Sequence, residues 1–477
     1  MTTLTAVAIA PVRAKMISYF VFWPFALLIA GVPAVYLLAT CMSSESVDIA
    51  LHYSLAELWA TRWGTFDQFA SIHPMMANYP PFSHAIAGGL GSLFGSPFWG
   101  MNTVAVLSIA LCYALLFAGI ASRDLAATLI AAFIVVLAII CLRRTHGFIG
   151  YELVGNYFFA HVVSNAAVFL VLFILSTNQR RRSEVVAIPL LVFVFGWLYP
   201  LGQIQLAFGA AALWVMKATK HSWREVGIGV AILLLSALAV RFHPSYSTMR
   251  TISDNNGEIL TRVSVSWLFV TALALLAMSA WISLQSRKDL SGLIRPSFLA
   301  SLGFAVTAAF FVHYTVYMLS GAGSDYALRK HTYVVVTVAT AQGSYLFARL
   351  ILGESPQSQN EAINLSSFFA LVVGTWLATW LILAPHSKNA TALLSSLSLA
   401  RSFVAENQHA ISKTIARIDG LEPWQNMMIS SVELRIPDDM IDQLRQNGAL
   451  PFTSIKCLVG AAPHLKISDC PVAHQER

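Results

Sequence analysis

The sequence predicts a polytopic α-helical membrane protein with a small α/β domain at its C-terminal end. Three observations carry that reading. Of the 477 residues, 57% are hydrophobic and 11% are charged, against roughly a quarter charged in soluble domains. Apolar runs near the roughly 20 residues that cross a bilayer recur along residues 1–385. The basic residues between those runs fall mostly in alternate loops, and so on one side, as the positive-inside bias requires.

The runs lie near 17–40, 102–122, 125–142, 157–177, 185–199, 201–217, 226–242, 263–284, 297–320, 333–352 and 365–385, which makes eleven expected spans. The first follows Arg13 and Lys15, so the N-terminus is expected in the cytoplasm. It exceeds the roughly 7–15 apolar residues of a secretory signal, and no small-residue cleavage site follows cleanly. Arg123, Arg180–Arg181–Arg182, Lys217/Lys220/Arg224, Arg287–Lys288/Arg295 and Arg349 then fall on the same side. That side collects 13 of the Lys and Arg residues of 1–385, and the other side eight. The net charge of +7 belongs to this part of the chain. Membrane lipids are the expected surroundings of so apolar a sequence, and no nucleic-acid partner is expected.

One run is read differently. Residues 79–95, "YPPFSHAIAGGLGSLFG", are apolar but short and glycine-rich. A full crossing here would flip every later loop and send "QRRRSE" outward. It is therefore expected as a re-entrant or interfacial helix, opened by Pro80–Pro81.

Residues 386–477 carry nine basic and nine acidic residues and read as a soluble domain outside the cytoplasm. A helical pattern over 393–418, a strand over "ISSVELRIP" and a capped helix over "PDDMIDQLRQNG" are expected there. Cys457 and Cys470 have twelve residues between them and are a plausible disulfide in an oxidising compartment. Cys41, Cys112 and Cys141 lie in or beside apolar runs, where a thiol acts as a small hydrophobe.

With that topology the chemistry-bearing residues gather on the outer side: Asp48, His52, Asp67, His73, Arg143, Arg144, His146, Glu152, Arg241, Asp325, Arg329, Lys330 and His331. Asp48 stands at a membrane–water boundary, where a carboxylate is costly unless solvated, paired or functional. It reads as a general base or as a helix cap. Arg143–Arg144 and Arg329–Lys330 read as phosphate ligands or as membrane-edge anchors. His52, His73, His84 and His146 leave a divalent metal open, but no His-x-x-x-His pair falls on an expected helix face, and no cofactor is required.

The first outer loop has a recognisable order. Asp48 follows the first span, then a helical stretch "HYSLAELWATRWG", then Tyr79-Pro80-Pro81 and a small-residue helix ending in "LFG". This resembles the GT-C superfamily of integral-membrane glycosyltransferases over roughly residues 15–180. The resemblance implies a polyprenyl-phosphate-linked sugar donor and a glycan or lipid-linked acceptor. It also implies inverting transfer on the periplasmic face of a bacterial inner membrane. Physical chemistry fits that resemblance: Asp48 at the boundary reads as the base, and Glu152 as a second catalytic carboxylate that holds the acceptor, or as the ion-pair partner of an arginine. His52, Tyr53, Tyr79, Arg143, Arg144, His146, Asp325, Arg329, Lys330 and His331 are the candidate substrate contacts, the cations facing a leaving lipid phosphate. One departure stands out. Many members have two adjacent acidic residues where this chain has Asp48 followed by Ile49, which weakens any two-carboxylate metal scheme. A polysaccharide polymerase or ligase, and a lipid or glycan flippase, are the alternative functions. The flippase is disfavoured because no two halves of the sequence match.

Overall fold

The computed structural model describes residues 31–42, 48–61, 79–121, 125–178, 182–218, 223–254, 259, 261–288, 294–352 and 365–388, with short runs between 394 and 469. Residues 31–39 are helical and lead to a two-residue strand, β1 (Cys41–Met42). Two helices follow, α1 (Asp48–Thr61) and α2 (Phe82–Phe94). The bundle is then built from α3 (Pro97–Ile120), α4 (Leu125–His146), α6 (Phe159–Thr177), α7 (Glu184–Phe195), α8 (Pro200–Met216), α9 (Trp223–Arg241), α11 (Val265–Lys288), α12 (Ile294–Ser320), α14 (Thr332–Leu352) and α15 (Leu365–Leu383). Three short helices lie in the connecting loops: α5 (Tyr151–Gly155), α10 (Tyr246–Ser253) and α13 (Asp325–Arg329).

Every expected span from 102 onward is a helix. Seven helices among the described residues are long and apolar enough to cross a membrane, and α7, α8 and the helix within 371–386 are apolar but shorter. Of the first expected span only residues 31–40 are described, 31–39 of them helical. Leu107, Phe133, Ile140, Val230, Leu234, Val270 and Leu350 stand 48% to 81% exposed. In water such a surface would be an aggregation hazard, whereas acyl chains cover it at no cost.

The helix α2 is thirteen residues long, about 20 Å at 1.5 Å per residue, and so too short for a hydrocarbon core of about 30 Å. It starts after Pro81 and ends at Gly95, whose φ of 76° is the left-handed cap that glycine accepts freely. Glycine also sets how closely α2 approaches its neighbours. A Cβ on Gly88 would lie 2.5 Å from the Ala56 carbonyl oxygen of α1, and one on Gly100 of α3 would lie 1.8 Å from the Ala87 carbonyl oxygen. So α1, α2 and α3 touch backbone to backbone, and this contact fixes where the face of α1 points.

Deep in the bundle, small and amide residues join three helices. Gln342 Nε2 of α14 donates to the Leu299 carbonyl at 2.7 Å, and Ser279 of α11 donates to Gln342 Oε1 at 3.1 Å. Hydrogen bonds of this kind between helices replace the hydrophobic drive that lipid cannot supply.

Beyond α15, the strand β2 (Ser387–Lys388) pairs antiparallel with β1, Cys41 opposite Lys388. In the tail, β3 (Ile415–Ile418) runs parallel to β4 (Ile455–Val459), which runs antiparallel to β5 (Lys466–Asp469). Residues 415–418, expected to close a helical stretch, are thus a strand, drawn into pairing with a segment 40 residues later. The strand expected over 429–437, the capped helix over 437–448 and the Cys457–Cys470 pairing lie outside the described residues, wholly or in one partner.

Candidate functional site

The loops expected on one side of the membrane do meet. The Phe82 amide donates to the Trp197 carbonyl at 3.0 Å, and the Arg262 amide to the Thr145 carbonyl at 3.0 Å. The Gly323 amide donates to Asp254 at 2.7 Å. Between these loops lies a cluster of polar side chains that water barely reaches.

Its floor is the loop after α4. Gly147 and Gly150, with φ of 73° and 100°, turn the chain back under the bundle's edge. Tyr113 of α3 donates to the Ile149 carbonyl at 3.0 Å and the Ile149 amide donates to Thr337 at 2.9 Å, so the turn is held from two sides. Glu152 in α5 is fully buried. Its Oε2 accepts the Gly150 amide at 2.8 Å, and its Oε1 faces Nδ1 of His161 at 3.7 Å. Neither of those facing atoms has a hydrogen-bond partner among the described residues. Burial pushes the Glu152 carboxyl up to about 8, against the pull of its backbone donors. Two residues beyond α5 comes Tyr157, with a φ of 54°. A bulky side chain in the left-handed region is strained, and such strain collects at functional sites.

The wall is α13 and the residue after it. Ser324 caps the helix, accepting the Ala327 amide at 3.1 Å. Lys330 is 7% exposed, its Nζ 4.4 Å from the Tyr326 ring centre and 4.6 Å from that of Phe158. Burial lowers its ammonium to about 8, with Asp48 pulling the other way. The partly buried Asp48 of α1 thus lies within electrostatic reach of Lys330, 282 residues away in the chain. Asp48 and Tyr199 both help raise the Tyr79 phenol, after burial.

The roof comes from α1 and α2. Nδ1 of His52 lies 2.7 Å from Nε2 of His84, both side chains buried and their rings within 10° of parallel. Tyr79 meets both rings edge-on at 5.5 and 5.6 Å, and Tyr157 and Phe159 close the cup at 6.0 Å from His52.

The sequence-predicted residues therefore separate. Asp48, His52, Tyr79, Glu152, Lys330 and His331 come together. His331 is buried with Nε2 3.2 Å from Nδ1 of His313. Tyr53 turns to the core against Phe98. Arg329 spends its guanidinium on the carbonyls of Val263 at 3.0 Å, Ile259 at 3.3 Å and Thr261, fastening that strand of loop. Asp325 is exposed in the first turn of α13. Arg143 ends α4 partly buried, its Nη1 without a hydrogen-bond partner among the described residues. His146 stands 4.8 Å from Trp267. Arg144 is helical, and its side chain lies outside the described residues.

His84, Tyr157, Phe158, His161 and Tyr326 complete the cluster, and sequence reasoning gave none of them a substrate role. An imidazole opening an apolar helix, as His161 does, was the available signal. Among the described residues no group of three or more His, Cys, Asp and Glu is placed to hold a metal ion.

Neither a protein-family model nor a curated protein sequence matches this chain. Among solved structures it is similar to the crystal structure of ArnT from Cupriavidus metallidurans bound to undecaprenyl phosphate. The identity is 13%, the TM-score 0.41, and 92% of each chain is covered.

Proposed function

We propose that this chain is an integral-membrane glycosyltransferase of GT-C type. It moves a sugar from a polyprenyl-phosphate donor to a glycan or lipid-linked acceptor on the periplasmic face of a bacterial inner membrane. The observation that carries the reading is the buried polar cluster where the loops meet, with the Lys330 ammonium held between the Phe158 and Tyr326 rings and the carboxylate of Asp48 within its electrostatic field.

Each group then has a task. The acceptor hydroxyl oxygen attacks the anomeric carbon of the donor while the bond from that carbon to the phosphate oxygen breaks. Asp48 takes the hydroxyl proton, and the lipid phosphate leaves with the bonding electron pair, so the anomeric centre inverts. Lys330 meets the negative charge that develops on the phosphate, in a place where few waters compete with it. Glu152 is uncharged near neutral pH and acts as a hydrogen-bond donor beside the reacting groups, deeper than Asp48.

Membranes carrying wild type or Asp48→Asn, supplied with radiolabelled polyprenyl-phosphate sugars, test this directly. Loss of general-base catalysis lowers transfer by about 10²–10⁴-fold. Full transfer by the variant would sink the base assignment, and no transfer by wild type from any donor would sink the enzyme.

A further inference from the structure

Histidine 52 lies four residues after Asp48 on α1, so the two side chains share one helix face a turn apart. The second imidazole of the roof decides what His52 offers. Nδ1 of His84 lies 3.4 Å from the Pro80 carbonyl oxygen and 3.3 Å from Ser83 Oγ. A carbonyl oxygen only accepts, so the arrangement that serves both oxygens puts the proton on Nδ1 of His84. Its Nε2 is then a bare acceptor, and the 2.7 Å contact requires the proton of His52 on Nδ1. What remains at His52 is a bare Nε2, in a cup of three aromatic rings and within the field of the Lys330 charge. A bare nitrogen has no proton for a phosphate oxygen. It suits a hydroxyl, and aromatic walls suit the C–H faces of a sugar.

We propose that His52 is a positioning residue for the acceptor: its Nε2 accepts a hydrogen bond from one hydroxyl of the acceptor sugar, while Asp48 takes the proton of another hydroxyl on the same ring. The acceptor is accordingly a polyol at its reacting end, a sugar and not a lone alcohol or a protein side chain. This rests on the glycosyltransferase reading. His84 and the Pro80 carbonyl act behind it, holding the less common tautomer in place.

Two measurements test it. Protein labelled with [15N]histidine in lipid bilayers is read by solid-state NMR, the His52 signals being those lost in His52→Gln. A protonated Nδ1 with a bare Nε2 is expected, and a protonated Nε2 in wild type overturns the proposal. In transfer assays, His52→Leu raises the acceptor KM about tenfold, the size expected for one lost hydrogen bond, with the donor KM unchanged. His52→Gln, whose amide oxygen accepts in its place, returns most of that loss. An unchanged acceptor KM in a folded His52→Leu protein overturns the proposal. If His52→Leu does not fold, the wild-type tautomer and the His52→Gln kinetics still decide. If wild type transfers from no polyprenyl-phosphate donor, the functional reading falls and takes the acceptor assignment with it, and the tautomer then reports on the imidazole pair alone.

Discussion

Lysine 330 concentrates the physics of the site at the scale of one residue. An ammonium seated between two rings gains cation–π attraction but loses hydration, and here burial dominates, lowering it to about 8. Most of its charge is present at pH 7, and it is lost as pH rises through about 8. The kcat/KM for a polyprenyl-phosphate donor should fall across that interval. Lys330→Arg, charged at every accessible pH, should remove the fall, and Lys330→Met should cost about 10–100-fold at pH 7 through loss of a charged contact. A fall that persists in the arginine variant but vanishes in Glu152→Gln would assign it to the carboxyl instead. Glu152 also has a signature in stability. Its folded value of about 8 lies above the ordinary 4.5, so between those two values the folded protein holds a proton that the unfolded chain lacks. Stability from this group is complete below about pH 4.5 and is lost as pH rises to about 8, a change on the order of several kcal/mol. The melting temperature of wild type should therefore drop across that window relative to Glu152→Gln. Parallel slopes for the two proteins would contradict it.

Two glycines separate the effects that matter for the helices. Gly88 faces the Ala56 carbonyl and Trp59 Cβ at 2.5 and 2.7 Å, whereas nothing lies within 4 Å of a Cβ on its neighbour Gly89. Gly88→Ala should destabilise by about 1–3 kcal/mol through overpacking. Since it pushes α1 away, transfer should fall further than stability does. Gly89→Ala should be neutral or gain up to about 1 kcal/mol of helix propensity. Equal melting temperatures and transfer rates in the two variants would show that α1 and α2 are not in this contact. The elements themselves were legible in the sequence because length and hydropathy set them. The expected spans from 102 onward appear within a few residues, and α2 is as short as its glycines and prolines require. Side-chain partnerships were not legible. Arg329 and Lys330 are neighbours in sequence, yet one grips three carbonyls and the other enters the site, because a helical step of about 100° points them apart. Ile415–Ile418 misled for a related reason. Pairing with β4 is non-local, and local periodicity carries no trace of it.

Topology is the property of the whole molecule on which everything else depends. The pairing of β1 with β2 puts residues 41–42 and 387–388 on the same side of the membrane. An even number of crossings must therefore separate them. The ten expected spans from 102 to 385 satisfy this, and a crossing by α2 would break it. Loops 143–156, 242–262 and 321–332, joined by the hydrogen bonds around Thr145, Asp254 and Gly323, then share that side with α1 and α2. The positive-inside count sets the expectation, open to test, that this side is the outer one. In a cysteine-free background, Asp325→Cys should react with a membrane-impermeant maleimide in intact cells. Arg182→Cys, exposed at the start of α7, should react only after the membrane is opened. The reverse pattern would leave the fold untouched but turn Asp48 and Lys330 to the cytoplasm. There, soluble nucleotide sugars would compete as donors, and the argument for a lipid phosphate at Lys330 would lose its strongest physical ground.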